Sequence, residues 1–190
     1  MTTVPDVVVA IHAALADANV PHAFGGALAL AYHVAEPRGT RDVDVNIFVP
    51  AARAGEMLLR LPAEIRWTKR ELAEIERDGQ VRVFWDDTPV DLFFVTHPFH
   101  ASAATHVEEV PFVDATIPIL SANHLAVFKA FFNRTKDWAD IEAMVDVDAL
   151  DLHWIIGWLV DLLGADDERV ERMRTLLRRP PPGPEPRFGS

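Results

Sequence analysis

The sequence predicts an α+β fold, in which a small mixed β-sheet with flanking helices is followed by a helical C-terminal region. Strand-like alternation and helical periodicity interleave along residues 22–120. From Ser121 onward the patterns are helical only, until a proline-rich stretch at residues 180–190. We therefore expect a core domain at residues 1–120, a helical region at 121–179 and a proline-rich tail at 180–190 that is extended or flexible.

The composition narrows the class of protein. The chain has 190 residues, 49% of them hydrophobic and 25% charged, which is typical of a globular protein. It has 0 cysteines, which excludes disulfides, thiolate metal sites and cysteine nucleophiles. No basic leader and no apolar run of membrane-spanning length is present, so we expect a cytoplasmic protein without a membrane partner. A formal charge of −11 argues against indiscriminate nucleic-acid binding, and it fits either simple solubility or a basic protein partner.

The first elements lead into a glycine pair. Apolar residues at helical spacing predict a helix over residues 7–20, and a short buried strand follows at residues 23–24. Gly25 and Gly26 end this strand, and small apolar residues at 27–34 predict the next helix. Backbone N–H groups and the helix dipole at such a turn can receive phosphate.

A pair of aspartates follows on the next strand. Residues 41–49 alternate, with Asp42 and Asp44 on one face and valines on the other. The Cα atoms of two such residues lie roughly 6.5–7 Å apart. This span suits carboxylates that hold divalent cations about 3.5–4 Å apart. Carboxylates of this kind next to a phosphate-binding turn predict phosphoryl-group chemistry on a nucleotide.

A predicted hairpin carries a third carboxylate. After an amphipathic helix at residues 51–61 and a charged surface helix at 68–78, two alternating segments at 80–85 and 90–96 are joined by a turn. Asp91 lies inside the second segment, where an aspartate is disfavoured unless something pairs with it. It is either an aspartate at a strand edge or a third carboxylate facing the metal.

The segment after the hairpin offers histidines but no metal motif. Residues 97–104 are predicted to be a short helix or loop, and 107–120 to be extended. His97, His100 and His106 lack a regular helical frame and a zinc spacing, so we expect surface or loop histidines there.

The helical region contains a lysine in an apolar stripe. Ser121 is a plausible N-cap for a helix that runs through Asn133. Lys129 lies within its apolar face, so its ammonium group needs either an anion or a route along the surface to water.

The following helix supplies two candidate anions. Thr135 is predicted to cap this helix, and Asp137 and Asp140 lie on one of its faces. Either aspartate could hold Lys129, or both could be ordinary acidic residues favoured by the helix dipole. Two further helices are predicted at residues 152–163 and 166–179.

Taken in this order, these motifs resemble those of the nucleotidyltransferase superfamily, with the closest similarity to the AbiEii/MenT-type toxins of bacterial toxin–antitoxin pairs. The resemblance extends from Phe24 to about Met144. It implies that Gly25 and Gly26 bind phosphate and that Asp42, Asp44 and Asp91 bind metal. It also implies that Lys129, together with Asp137 or Asp140, stabilises phosphate charge. Ala27 stands where a serine is often found, which leaves only backbone donors at the glycine pair.

The resemblance implies a Mg²⁺-dependent reaction. Two Mg²⁺ ions and an NTP would be bound, and an acceptor hydroxyl would attack the α-phosphorus while pyrophosphate leaves. Asp91 would accept the proton, and Arg38 or Arg41 could help to stabilise phosphate charge. Toxins of this class add nucleotides to tRNA 3′ ends and are inactivated by kinase-like antitoxins at a serine or threonine, which makes Thr40 a candidate phosphorylation site.

The acceptor stays open at this point. From the resemblance we expect a toxin that modifies tRNA 3′ ends and blocks translation, and local basic residues and the helical C-terminal region favour this acceptor. The lack of a large basic face instead favours a protein hydroxyl or a small molecule such as an aminoglycoside. A non-catalytic module that only binds a nucleotide or a partner is the remaining possibility. It leaves the clustered strand carboxylates unexplained, because like charges without a metal repel one another.

Overall fold

The computed structural model of the protein describes residues 2–36 and 39–178. The chain divides into two compact units, Met1–Leu125 and Ala126–Ser190. The predicted tail at residues 180–190 lies outside the described residues. Strands and helices combine as the sequence predicts, so the α+β fold class is confirmed.

The strands of the first unit form one mixed sheet. In chain order they are β1 (His22–Phe24), β2 (Val43–Pro50), β3 (Ile65–Arg66), β4 (Gln80–Trp85), β5 (Thr88–Val95), β6 (Val107–Phe112) and β7 (Ala115–Leu120). Their spatial order is β3-β4-β5-β2-β1-β7-β6. The pairs β2–β5 and β1–β7 are parallel, and the other neighbours are antiparallel.

Helices connect the strands and continue to the end of the described chain. They are α1 (Val4–Asp17), α2 (Gly26–Leu30), α3 (Ala54–Leu58), α4 (Lys69–Asp78), α5 (Pro98–Ala104), α6 (Ala122–Phe132), α7 (Thr135–Asp146), α8 (Leu152–Leu163) and α9 (Glu168–Leu177). None of the helices in the described ranges is both long and apolar enough to cross a membrane.

Local signals in the sequence explain where α1 begins and what it buries. The Thr3 hydroxyl accepts a hydrogen bond from the Asp6 amide, and the Asp6 carboxylate accepts one from the Thr3 amide, which forms a capping box. One face of α1 is fully buried, through Val7, Ile11 and Leu15 among others. The amphipathic pattern of the first helix therefore specifies its packing.

Several predicted elements differ in extent from those observed. The helix predicted at residues 27–34 is the single-turn α2, followed by turns, and the one predicted at 51–61 is a 3₁₀ turn followed by α3. The hairpin turn has only two residues, Asp86 and Asp87, and Pro89 belongs to β5. Asp86 adopts a left-handed conformation (φ 49°), which suits such a tight turn.

The second unit is helical and packs around Trp138. The indole is fully buried, its Nε1 donates a hydrogen bond to Asn133 Oδ1 (2.7 Å), and the Arg172 guanidinium lies 4.3 Å from the ring centroid. Helix α7 begins at Thr135, and its N-cap residue is Arg134. The prediction that Thr135 caps this helix is therefore wrong by one position.

Candidate active site

The polar face of β2 carries the predicted carboxylates. Asp44 lies on this face, whereas its neighbours Val43 and Val45 are buried in the core. Asp42 directly precedes the strand, and Thr40 fixes its backbone: the Asp42 amide donates to Thr40 Oγ1 (3.1 Å), and the Thr40 hydroxyl donates to the Asp42 carbonyl (3.0 Å). A short side-chain turn thus determines how the chain enters the strand.

Asp91 lies beside Asp44 in the sheet. Strands β2 and β5 are parallel, and their register places Asp44 opposite Asp91. Strand β5 lies between β4 and β2, in the interior of the sheet. Asp91 is therefore not an aspartate at a sheet edge, and the two carboxylates belong to one row across neighbouring strands.

Arg82 extends this row by one strand. It lies opposite Asp91 on β4. Its Nε donates to Asp91 Oδ1 and its Nη2 to Asp91 Oδ2, both at 2.7 Å, and the same Nη2 lies 3.5 Å from Asp42 Oδ2. The hydrogen bonds to Asp91, followed by the charges of the surrounding aspartates, raise the pKa of Arg82 above its usual value. The guanidinium therefore stays charged.

Arg82 is not among the residues predicted for the site, although the sequence contains a signal for it. The two-residue turn of the hairpin fixes its register, and counting outward from the Trp85–Thr88 pair brings Arg82 opposite Asp91. An arginine opposite an aspartate on one face of a hairpin predicts an ion pair.

The glycine pair lies against Asp44. The Gly25 amide donates a hydrogen bond to the Asp44 carbonyl (2.9 Å). Gly26 adopts a left-handed backbone (φ 55°), and a Cβ atom at this position would overlap the Asp44 carboxylate. Only glycine meets both conditions without strain. The glycine turn and the carboxylates therefore open onto the same place.

The donor set suits a divalent cation, although its geometry differs from the predicted three-carboxylate site. In the described part of the chain, no three His, Cys, Asp or Glu side chains are placed to hold a metal ion. Both oxygens of Asp91 accept hydrogen bonds from Arg82. Asp42 and Asp44 supply the hard oxygen ligands that Mg²⁺ prefers, and Mg²⁺ commonly uses one or two carboxylates together with water and substrate phosphates.

The predicted arginines next to this site are only partly described. Arg41 is exposed and directly precedes Asp42. Arg38 lies outside the described residues, so its predicted contact with a nucleotide has no structural counterpart here.

The second unit contains a buried ion pair. Lys129 Nζ donates a hydrogen bond to Asp140 Oδ2 (2.6 Å), and the two side chains are only 6% and 7% exposed. The lysine therefore does not reach along the surface to water. Of the two candidate anions, Asp140 is the one that contacts it.

Asp137 has a different partner. Its fully buried carboxylate accepts hydrogen bonds from the Arg134 amide (3.2 Å) and from Arg134 Nε (2.6 Å). These bonds complete the N-terminal cap of α7. Asp137 thus has a capping role at the start of the helix.

Comparison with known proteins supports the fold. No protein-family model and no curated protein matches the sequence. Among solved structures, the antibiotic-resistance factor ANT(2″)-Ia aligns with a TM-score of 0.53 at 17% identity, over 92% of this chain and 90% of its own. The same enzyme in complex with adenylyl-2″-tobramycin aligns with a TM-score of 0.54 at 18% identity, over 93% and 98%.

A lincosamide antibiotic adenylyltransferase aligns as well. The lincosamide antibiotic adenylyltransferase LnuA, in its lincomycin-bound structure, gives a TM-score of 0.52 at 13% identity, over 76% of this chain and 98% of its own. The chain therefore has the nucleotidyltransferase fold. The predicted closeness to AbiEii/MenT-type toxins is not tested by these structures and stays a prediction.

Proposed function

We propose that the protein is a nucleotidyltransferase, which transfers a nucleoside monophosphate from an NTP to an acceptor hydroxyl and releases pyrophosphate. One observation carries the proposal: Asp44 lies between the glycine turn, which Gly26 allows to approach closely, and Asp91 on the adjacent strand. The nucleotidyltransferase fold of the solved structures described above supports the same reaction class.

In the proposed reaction the bond from the acceptor oxygen to the α-phosphorus forms while the bond from the α-phosphorus to the bridging oxygen breaks. Asp42 and Asp44 would hold Mg²⁺, which when bound neutralises triphosphate charge and acidifies the hydroxyl. Asp91 accepts the hydroxyl proton in this scheme, and pyrophosphate leaves with the electron pair. The glycine turn orients the triphosphate through its backbone. Lys129 is a further candidate for binding phosphate, with Asp140 orienting its ammonium group through a hydrogen bond.

For the acceptor we propose a hydroxyl of a small cationic molecule. The formal charge of −11 attracts amine-bearing molecules and disfavours the polyanionic backbone of RNA. The aligned solved structures, which include an antibiotic-resistance factor and a lincosamide antibiotic adenylyltransferase, support an antibiotic-like acceptor.

The second candidate acceptor is the 3′ end of tRNA, with the protein acting as a toxin controlled by a cognate, kinase-like antitoxin. The ordered motifs of the sequence favour this candidate. Arg41, which is exposed directly before Asp42, is a suitable phosphate contact for such an acceptor.

One labelling experiment tests the reaction and separates the acceptors. The protein is incubated with each α-labelled NTP and Mg²⁺, together with an antibiotic panel, total RNA or total protein. We expect pyrophosphate release and label on an aminoglycoside-type or lincosamide-type molecule, and loss of both in Asp44→Asn. Arg77→Gln serves as a matched control, because it removes an arginine from an exposed Arg–Asp pair. Absence of label with every NTP and acceptor would refute the proposal, and label on RNA alone would favour the toxin.

Thr40 tests the regulatory part of the toxin candidate. Its hydroxyl forms hydrogen bonds with the amide and the carbonyl of Asp42. A phosphate on Thr40 would break these bonds and place almost two negative charges beside the carboxylates. We expect Thr40→Glu to reduce transfer at least tenfold and Thr40→Ser to retain it. Normal transfer by Thr40→Glu would contradict this role.

A further inference from the structure

The position of Arg82 has a consequence for cation binding by the carboxylates. Arg82, Asp91 and Asp44 form one row across β4, β5 and β2, because the antiparallel register pairs the first two and the parallel register pairs the last two. The arginine makes a bidentate contact with Asp91 and also approaches Asp42. A guanidinium thus lies among the same oxygens that a divalent cation would use.

Arg82 and a divalent cation would use the same carboxylates. Of the carboxylates at this place, Arg82 contacts those of Asp91 and Asp42. Neutralising one carboxylate reduces the repulsion within the row. A divalent cation is attracted to these carboxylates, but it is repelled by the guanidinium. The two cations therefore compete.

The Arg82–Asp91 ion pair is exposed to solvent, unlike the buried pair of the second unit. The Arg82 side chain is 49% exposed and that of Asp91 is 20% exposed. By contrast, Lys129 and Asp140 are 6% and 7% exposed, and separating them would leave a buried charge. The Arg82 guanidinium can exchange its carboxylate for water, because its long side chain lies at the surface.

We propose that Arg82 is a positioning residue that acts as an internal competitor of the divalent cation: it holds Asp91 and must release this carboxylate before Asp91 can act in transfer. The inference rests on the proposed function, to which it adds control of the same site. It also explains why Asp91 is in register with Asp44 although no three-carboxylate metal site is formed among the described residues.

Titration of the full-length protein with Mn²⁺ alone, followed by electron paramagnetic resonance and calorimetry, tests this inference without any turnover. Removing one positive charge from beside a divalent cation in a water-like dielectric changes the binding constant by roughly tenfold. We therefore expect Arg82→Gln to bind Mn²⁺ about tenfold more tightly than the parent protein. Arg82→Lys keeps the charge but loses the bidentate fork, so its gain is expected to be about threefold.

The control is Arg77→Gln, which removes an equally charged residue from the exposed pair with Asp78 and should leave Mn²⁺ affinity unchanged. The added affinity of Arg82→Gln must disappear when Asp44→Asn is combined with it. As a second readout, Mn²⁺ should raise the melting temperature of Arg82→Gln more than that of the parent protein. If Arg82→Gln fails to fold, Arg82→Lys decides by the same measurements.

The outcomes separate the two proposals. In one outcome the parent protein binds Mn²⁺ through Asp42 and Asp44, and the Arg82 variants bind it equally or more weakly. This result would overturn the role of Arg82 and leave the proposed transferase intact. Absence of Mn²⁺ binding in every variant, together with absence of transfer from any NTP, would overturn both.

Discussion

Substitution of Gly26 by alanine is the most direct test of the link between the glycine turn and the carboxylates. At φ 55° a residue with a side chain occupies the left-handed region, which costs roughly 1–2 kcal/mol. The new Cβ would also overlap the Asp44 carboxylate, which must move. For a chain of this size we expect a fall in melting temperature of about 2–8 °C. A carboxylate displaced by about 1 Å predicts a loss of about 10²-fold in kcat/KM.

The assay combines thermal unfolding with pyrophosphate release at saturating Mg²⁺. Gly157→Ala is the matched control, because an added Cβ meets no atom within 4 Å and the residue lies inside α8. Glycine inside a helix is unfavourable relative to alanine, so this control should gain about 0.5–1 kcal/mol and keep full activity. Gly26→Ala protein with unchanged kcat/KM would refute the reasoning, since the glycine turn would then have no part in transfer.

Two further predictions concern buried charge and pH. Lys129→Met leaves the Asp140 carboxylate buried without its cation, and we expect a loss of about 3–5 kcal/mol in urea unfolding. Combining it with Asp140→Leu should restore most of this loss. Burial lowers the pKa of His124 from 6.5 to about 4, so the unfolded chain binds a proton below pH 6.5 that the folded protein does not accept. The contribution of neutral His124 to the free energy of unfolding is therefore fully present above pH 6.5 and is lost as the pH falls towards 4. At pH 5 the loss is roughly 2 kcal/mol.

Both predictions have a defined contrary result. Should the Lys129→Met, Asp140→Leu double variant be no more stable than Lys129→Met, the cost would not come from the unpaired carboxylate. For the pH prediction, unfolding of the parent protein is compared with that of His124→Gln between pH 7 and pH 5. The ring nitrogens of His124 lie 2.7 Å from Ser121 Oγ and 3.1 Å from Ser102 Oγ. If the free energy of unfolding changes equally with pH in the two proteins, His124 does not cause this pH dependence.

The local features of the site could be read from the sequence, because short-range rules govern them. Alternation along β2 specifies that Asp44 faces away from the valine core. The two-residue turn fixes the register of the hairpin, which contains enough information to pair Arg82 with Asp91. Our expectation treated residues 86–89 as the turn, and this obscured the register.

The choice between Asp137 and Asp140 could not be made from the sequence. Both lie on one face of α7, and only the way this helix packs against α6 decides which carboxylate meets Lys129. A further obstacle was the cap, since Arg134 draws Asp137 into hydrogen bonds at the helix start. Capping thus determines the partner of Asp137, whereas helix packing determines the partner of Asp140.

The hydrogen bond from the Gly25 amide to the Asp44 carbonyl joins the end of β1 to β2. This hydrogen bond adds to the antiparallel pairing of β1 with β2, so the glycine turn and Asp44 are held on one pair of neighbouring strands. Under the proposed function, substitutions outside these two strands can change the acceptor while the glycine turn and Asp44 keep their positions. Directed evolution for new acceptors should accumulate its substitutions outside these two strands.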